Sequence, residues 1–158
     1  MIVKKKADPM NPKLFRFLLN VYPPYLGTGI VVKHVADDYT RMTVQMKDRF
    51  YNRNYVGTHF GGSLYAMTDP FYMLMLIQIL GPAYIVWDKT ASIKFVKPGK
   101  GTVTAEFHVK EELIERIKTE TADGRVFLPE LTVPIKDRYN EIVAIVVKTL
   151  YIRKKTGK

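Results

Sequence analysis

Between Asn54 and Asp69 the segment NYVGTHFGGSLYAMTD brings together an amide side chain, an imidazole, a glycine pair, a hydroxyl and a carboxylate. The acid is the most informative of these groups. From Gly62 to Leu80 the chain runs for nineteen residues with one formal charge, Asp69, on what reads as a helix apolar all round. Such a helix has no solvent face and must be covered on every side. An ionised carboxylate on it is costly unless it is paired, hydrogen-bonded or open to a cleft. Asp69 is therefore the leading candidate for a working acid. Pro70 follows it, and a proline inside a helix removes one backbone bond, here leaving the Ala66 carbonyl without its partner. The structural alternative is that Asp69 serves the kink by accepting hydrogen bonds from hydroxyls such as those of Thr68 or Ser63.

Composition removes several classes of chemistry. The chain has no cysteine, which excludes disulfides, thiolate metal sites and a cysteine nucleophile, and fits a reducing cytoplasm. His34, His59 and His108 lie far apart with no second ligand at metal spacing, so no metal is expected. The Gly61-Gly62-Ser63-Leu64 sequence fits a nucleophile elbow poorly, so a serine hydrolase ranks low. The formal charge is +10, but Lys4, Lys5, Lys6, Arg153, Lys154, Lys155 and Lys158 supply seven positives from the two ends and leave +3 for the body. A basic surface attracts phosphates of any origin. Terminal clustering favours solvated flexible ends, about residues 1–10 and 154–158, over a nucleic-acid site. No secretory leader is read at the N-terminus. The apolar run from Phe71 to Trp87 is interrupted by Gln78, Gly81 and Pro82, and reads as core rather than as a membrane span.

The elements that must hold the segment are legible as periodicities. At 158 residues, 47% of them hydrophobic, one globular domain covering 1–158 is expected. Asn11-Pro12 is a helix start, and Leu14, Phe17, Leu18 and Val21 share a face expected to pack on the domain until Pro23-Pro24 ends the helix. Ile30 to Val35 and Thr40 to Lys47 read as a hairpin, with Met42, Val44 and Met46 on the buried side. After the helix, extended structure is expected through Ala91, Ile93 and Phe95, then a turn at Lys97-Pro98-Gly99-Lys100-Gly101, then a strand with Val103, Ala105, Phe107 and Val109 inward. Glu111 to Glu120 is a short amphipathic helix or a strand, with Glu112 and Arg116 paired one turn apart if helical. Val126 to Ile135 is a strand that Pro129 and Pro134 mark as an edge or a bulge. Ile142 to Ile152 is apolar at nearly every position and belongs in the interior of the sheet. The economical assembly is α+β: a long antiparallel sheet curved around one long central helix.

That plan, with particular residues, resembles the hotdog fold of acyl-CoA thioesterases of the phenylacetate-pathway type, and within it the DUF4442 branch. The resemblance covers about Asn11 to Arg153. Its specific part is Asn54, Gly57, Gly61-Gly62 and Asp69, similar to a family pattern of an Asn, a glycine turn, a His-Gly-Gly and an acid seven residues beyond the second glycine. Ala91 to Gly101, ASIKFVKPGKG, is similar to the family's strand with a basic residue and a Pro-Gly turn. The chain departs at the histidine, since Phe60 precedes the glycine pair and His59 stands one position earlier.

The resemblance implies thioester hydrolysis, with coenzyme A thioesters as substrate and no cofactor. Asp69 would act as general base or nucleophile across a dimer interface, Asn54 would orient the water or carbonyl, and the amides of Gly61, Gly62 or Ser63 at the helix start would face the developing oxyanion. His59 and Ser63 are candidate substrate contacts, each with a purely local hydrogen-bonding role as its alternative. Lys97 is the candidate contact for the coenzyme's phosphates, with a solvated lysine as its alternative. A homodimer is expected from the all-round apolar helix, and association into a tetramer is left open. Two other readings remain: a non-catalytic hotdog domain binding an acyl or lipid-like ligand, and nucleic-acid binding through the basic ends.

Overall fold

The structure, a computed structural model, describes residues 9–156. Asn11 caps the first helix, α1 (Pro12–Val21), by accepting from the amides of Lys13 and Leu14, and Pro12 occupies the first position, where no donor is needed. Pro23 and Pro24 end it as expected and also open a short second helix, α2 (Pro23–Thr28). The hairpin β1 (Ile30–Val35) and β2 (Arg41–Met46) follows, with Met42, Val44 and Met46 buried as their alternation predicts. A 3-10 turn at Phe50–Asn52 leads to the central helical segment.

That segment is two helices, not one. α3 (Gly61–Ala66) and α4 (Phe71–Leu80) are separated by a break at Met67–Pro70, where the Asp69–Pro70 peptide is cis. The Ala66 carbonyl, expected to be orphaned by Pro70, accepts from the Asp69 amide at 3.2 Å. Gly61–Leu80 is apolar enough by composition to cross a membrane, but α4 buries Phe71, Tyr72, Met75, Leu76 and Leu80 and reads as a core helix. Its Met73, Leu74 and Ile77 side is only partly covered.

The remaining elements are β3 (Tyr84–Phe95), β4 (Val103–His108), α5 (Glu111–Glu120), β5 (Val126–Phe127), β6 (Glu130–Asp137) and β7 (Ile142–Lys154). All pairings are antiparallel, in the order β1-β2-β4-β6-β7-β3, with β5 also on β7. The inner face of the sheet meets α4 through aromatic contacts: Phe107 lies 5.2 Å from Phe71 and 5.1 Å from Tyr72, ring centre to ring centre. Each such side chain contributes about 1.5–3 kcal/mol when fully buried.

Several expectations need correction. The α1 face of Leu14, Phe17, Leu18 and Val21 points outward, and Phe15 is the buried residue. The helix is turned because its polar residues are needed inward. Asn20 donates to the Val32 carbonyl and accepts from the Val32 amide, and Arg16 donates to the Lys33 carbonyl, which satisfies the otherwise open edge of β1. Phe15 meanwhile packs edge-on against Tyr39. The strand with two prolines is not an edge: β6 lies between β4 and β7. Pro129 separates β5 from β6, and Pro134 falls one residue outside the β4 ladder, which covers only Ile135 to Asp137, so neither proline interrupts it. The alternative of a bulge is met by a register shift at Ile135/Lys136. Arg116 lies over the Phe127 ring, 5.1 Å from its centre, instead of pairing with Glu112. At the chain ends, Lys154 is in β7 opposite Tyr84, and the Tyr39 hydroxyl donates to the Met10 carbonyl. Lys4, Lys5, Lys6 and Lys158 lie outside the described residues.

Candidate active site at the helix break

Asp69 sits at the break between α3 and α4, and the backbone there is held from two sides. The Tyr25 hydroxyl donates to the Asp69 carbonyl at 2.6 Å, and the Asp69 amide returns to Ala66. The Asp69 side chain, 39% exposed, lines a cavity of about 510 Å³ between α1, α2 and the break. The walls are Leu18, Leu19, Tyr22, Tyr25 and Leu74, with Pro70 and Ala66 beside the acid. This is an apolar cleft with one carboxylate in its wall, the arrangement in which an acid on an apolar rod is tolerable.

The partners of that carboxylate are neither Thr68 nor Ser63. Oδ1 of Asp69 accepts from the Lys148 ammonium and, at 3.3 Å, from the Tyr65 hydroxyl. Lys148 is fully buried on the inward face of β7, donates to Asp88 Oδ2 at 3.1 Å, and lies 5.6 Å from the centre of the Tyr65 ring. Burial pushes the Asp88 carboxyl above its ordinary range, an effect that Lys148 opposes, and Asp88 Oδ1 is buried without a hydrogen-bond partner among the described residues. Burial also raises the Tyr65 phenol, with the Lys148 charge acting the other way. Tyr25 is likewise raised, by burial first and by Asp69 second, so it remains a donor at neutral pH.

The other predicted site residues gather elsewhere. Asn54, His59, Gly61 and Lys97 line a second cavity of about 420 Å³ with Leu64 and Phe95. Within one chain this cavity is separate from the one that Asp69 lines. Asn54 uses both ends of its amide locally: it accepts from the Thr58 amide and donates to the Thr58 hydroxyl and the His59 carbonyl, closing a turn in which Gly57 has φ +77°. His59 is buried, with Nε2 2.8 Å from the Gly101 carbonyl and its amide bonded to the Gly99 carbonyl, and Nδ1 has no partner among the described residues. The Lys97 ammonium bonds Asp137 at 2.7 Å and also Glu141, so it bridges its own turn to the β6–β7 connection. Ser63 is buried and its amide returns to the Phe60 carbonyl.

Gly61 and Gly62 open α3, and their amides have no acceptor among the described residues. Both glycines lie close under exposed aromatic rings. A Cβ on Gly61 would stand 2.9 Å from the Phe95 ring, and one on Gly62 would overlap the Phe60 ring. No group of three metal-binding side chains occurs among the described residues. His34 and His108 are exposed, as expected for His108.

Lys148 and Asp88 were missed by sequence reasoning. The signal was present: Lys148 is the one charged residue between Ile142 and Ile152, and it shares the inward phase of Val146 and Leu150.

An antiparallel sheet packed against a central helical segment, with an acid at its break, defines this chain as a hotdog-fold protein. The chain belongs to the DUF4442 family, a domain of unknown function whose model matches residues 12–152. Among solved structures it is similar to a protein of unknown function from Pseudomonas aeruginosa described as a probable thioesterase, at 19% identity and TM-score 0.84, covering 94% of this chain and 99% of that one. It is also similar to a thioesterase from Haemophilus influenzae, at 15% identity and TM-score 0.68, covering 90% of each chain. A protein of unknown function from Chlorobaculum tepidum aligns at 17% identity and TM-score 0.71, over 96% of this chain and 99% of that one. At these identities the likeness establishes the fold. No curated protein matches the chain.

Proposed function

We propose that this protein hydrolyses acyl thioesters of coenzyme A, with the Asp69 carboxylate as general base. The observation that carries the reading is the position of Asp69: a carboxylate in the wall of an apolar cavity, anchored through Oδ1 and partly open to solvent. The acyl group would lie along Leu18, Tyr22, Tyr25 and Leu74. Asp69 would take a proton from water as the water oxygen bonds to the thioester carbon. The carbon–sulfur bond of the resulting tetrahedral oxyanion would then break, and the proton would pass to the departing sulfur. The unpartnered amides of Gly61 and Gly62 supply suitable donors for the oxyanion.

In one chain Gly61 lines a different cavity from Asp69, so the reaction calls for a homodimer in which the glycine turn of a second copy meets the Asp69 cavity. The open edge of β3 supports such an assembly. It is twelve residues long, lacks a partner on its outer side among the described residues, and exposes Trp87 and Phe95. The descriptions of the Pseudomonas and Haemophilus relatives as thioesterases agree with this chemistry.

The test is thiol release from a panel of acyl-coenzyme A thioesters, followed with a thiol-reactive dye. The absence of cysteine gives the protein no background of its own. Turnover by the wild type and its loss in Asp69→Ala, with light scattering showing a dimer, is the expected result.

A second reading is favoured by a specific observation. The Phe60 and Phe95 rings lie over the glycine pair, and Asn54 and Lys97 are engaged within their own turns. A hotdog domain that binds an acyl ligand without turning it over would co-purify with lipid and release no thiol.

A further inference from the structure

The Lys148 side chain has no solvent exposure, although it carries a charge. An apolar residue would pack there as Val146 and Leu150 do two positions either side, and a buried ion pair is a weak source of stability compared with such packing. The helix break does not require it either. The backbone at Asp69 is fixed by the Tyr25 hydroxyl on its carbonyl and by its amide on Ala66, and neither bond involves the carboxylate. What Lys148 does touch is the acid itself. Its ammonium bonds Asp69 Oδ1 and, at 3.1 Å on another side, Asp88 Oδ2. Asp88 comes from β3, where it stands opposite Leu150, the next inward residue after Lys148. The Tyr65 hydroxyl reaches the same Oδ1, so both donors hold one oxygen, and Oδ2 of Asp69 has no hydrogen-bond donor among the described residues, with the Asp88 carboxyl close to that of Asp69.

We propose that Lys148, braced by Asp88, is a positioning residue for Asp69: it pins Oδ1 from inside the sheet and leaves Oδ2 free for the reacting water in the cavity. The proposal deepens the thioesterase reading and rests on it. Lys148 itself meets no substrate, since it is sealed in the core. Losing it should therefore lower turnover and leave substrate binding in place, because a misaimed catalytic group by about 1 Å costs about 100-fold in rate.

Removing the ammonium alone leaves Asp88 and Asp69 facing each other, so Lys148→Met is compared with Lys148→Met/Asp88→Asn, which removes one charge of each sign. Both full-length variants and Asp69→Asn are assayed for thiol release on the acyl-coenzyme A thioester that the wild type hydrolyses best, with circular dichroism and thermal melting as the check on folding. The expected result is a folded double variant with kcat down about 100-fold and KM within about threefold. A double variant with wild-type kcat beside an inactive Asp69→Asn overturns the positioning role and leaves the thioesterase reading intact. Full activity in Asp69→Asn, or a wild type that hydrolyses no thioester, overturns that reading and this proposal with it. If neither Lys148 variant folds, Lys148 belongs to the core alone and the proposal is wrong.

Discussion

Tyr25→Phe isolates one atom of the helix break. The Tyr25 ring is buried and lies nearly parallel to Phe71 at 5.4 Å, and its hydroxyl donates to the Asp69 carbonyl at 2.6 Å. Phenylalanine keeps the ring and its stacking and removes the donor. A lost hydrogen bond of this kind costs about 0.5–1.5 kcal/mol net, and about 1–3 kcal/mol if the acceptor is left dry. The Asp69 cavity is open, so water can reach the carbonyl, and the expected loss is about 1 kcal/mol. For a chain of this size that corresponds to a fall in Tm of roughly 2–4 °C. Tyr25→Leu also loses the contacts with Phe71 and Tyr22 and should cost about 3 kcal/mol or more. Thermal melting and urea titration of both variants provide the comparison. If Tyr25→Phe is as damaging as Tyr25→Leu, or leaves Tm unchanged, the hydroxyl is not what anchors the break.

Asn20→Ala should cost about 1–3 kcal/mol and increase self-association, because it uncovers both the amide and the carbonyl of Val32 on the β1 edge; urea titration and light scattering check the two effects. Lys97→Ala should change coenzyme A affinity by less than about twofold in titration calorimetry, since its ammonium is engaged by Asp137 and Glu141, and a tenfold loss would return Lys97 to the ligand site. The Asp137 carboxyl is held below its ordinary 3.8 by Lys97 first and by backbone amides after it. A lowered acid contributes stability above its unfolded pKa and loses it as pH falls through the folded value. Local stability at the turn from Asp137 to Glu141, read by hydrogen exchange corrected for the intrinsic rate, should therefore fall below about pH 4, and Lys97→Ala should make that acid-dependent loss smaller. Asp88 has the opposite sign: its raised carboxyl contributes fully below 3.8 and less as pH rises.

Elements governed by local periodicity were readable in the sequence. The inward alternation of Met42, Val44 and Met46 and the Asn11-Pro12 start need no partner to be recognised, whereas the segment from Glu111 to Glu120 allowed helix or strand and is the helix α5. The misreadings arose where distant groups decide. The rotation of α1 follows from the unpaired edge of β1, which only the sheet order reveals, and an apolar stripe carries no record of that demand. The helix break was half legible, because Pro70 marks it, whereas the Asp69 amide bonding to Ala66 depends on the break geometry. Asp69 was found as an anomaly of charge. Lys148 and Asp88 are the same kind of anomaly on two strands, and they become a site only when the β3–β7 register sets them side by side. Asn54 matched a pattern, yet its side-chain bonds are local to the turn, and His59, one position off that pattern, bonds across to the Gly99 and Gly101 carbonyls.

The most direct measurement is the rate of thiol release from acyl-coenzyme A by folded Asp69→Asn, which alters one oxygen and keeps the size of the side chain. Hydrolysis should fall to the uncatalysed rate while the protein still binds the thioester. Turnover equal to the wild type would contradict this and move the chemistry away from the helix break.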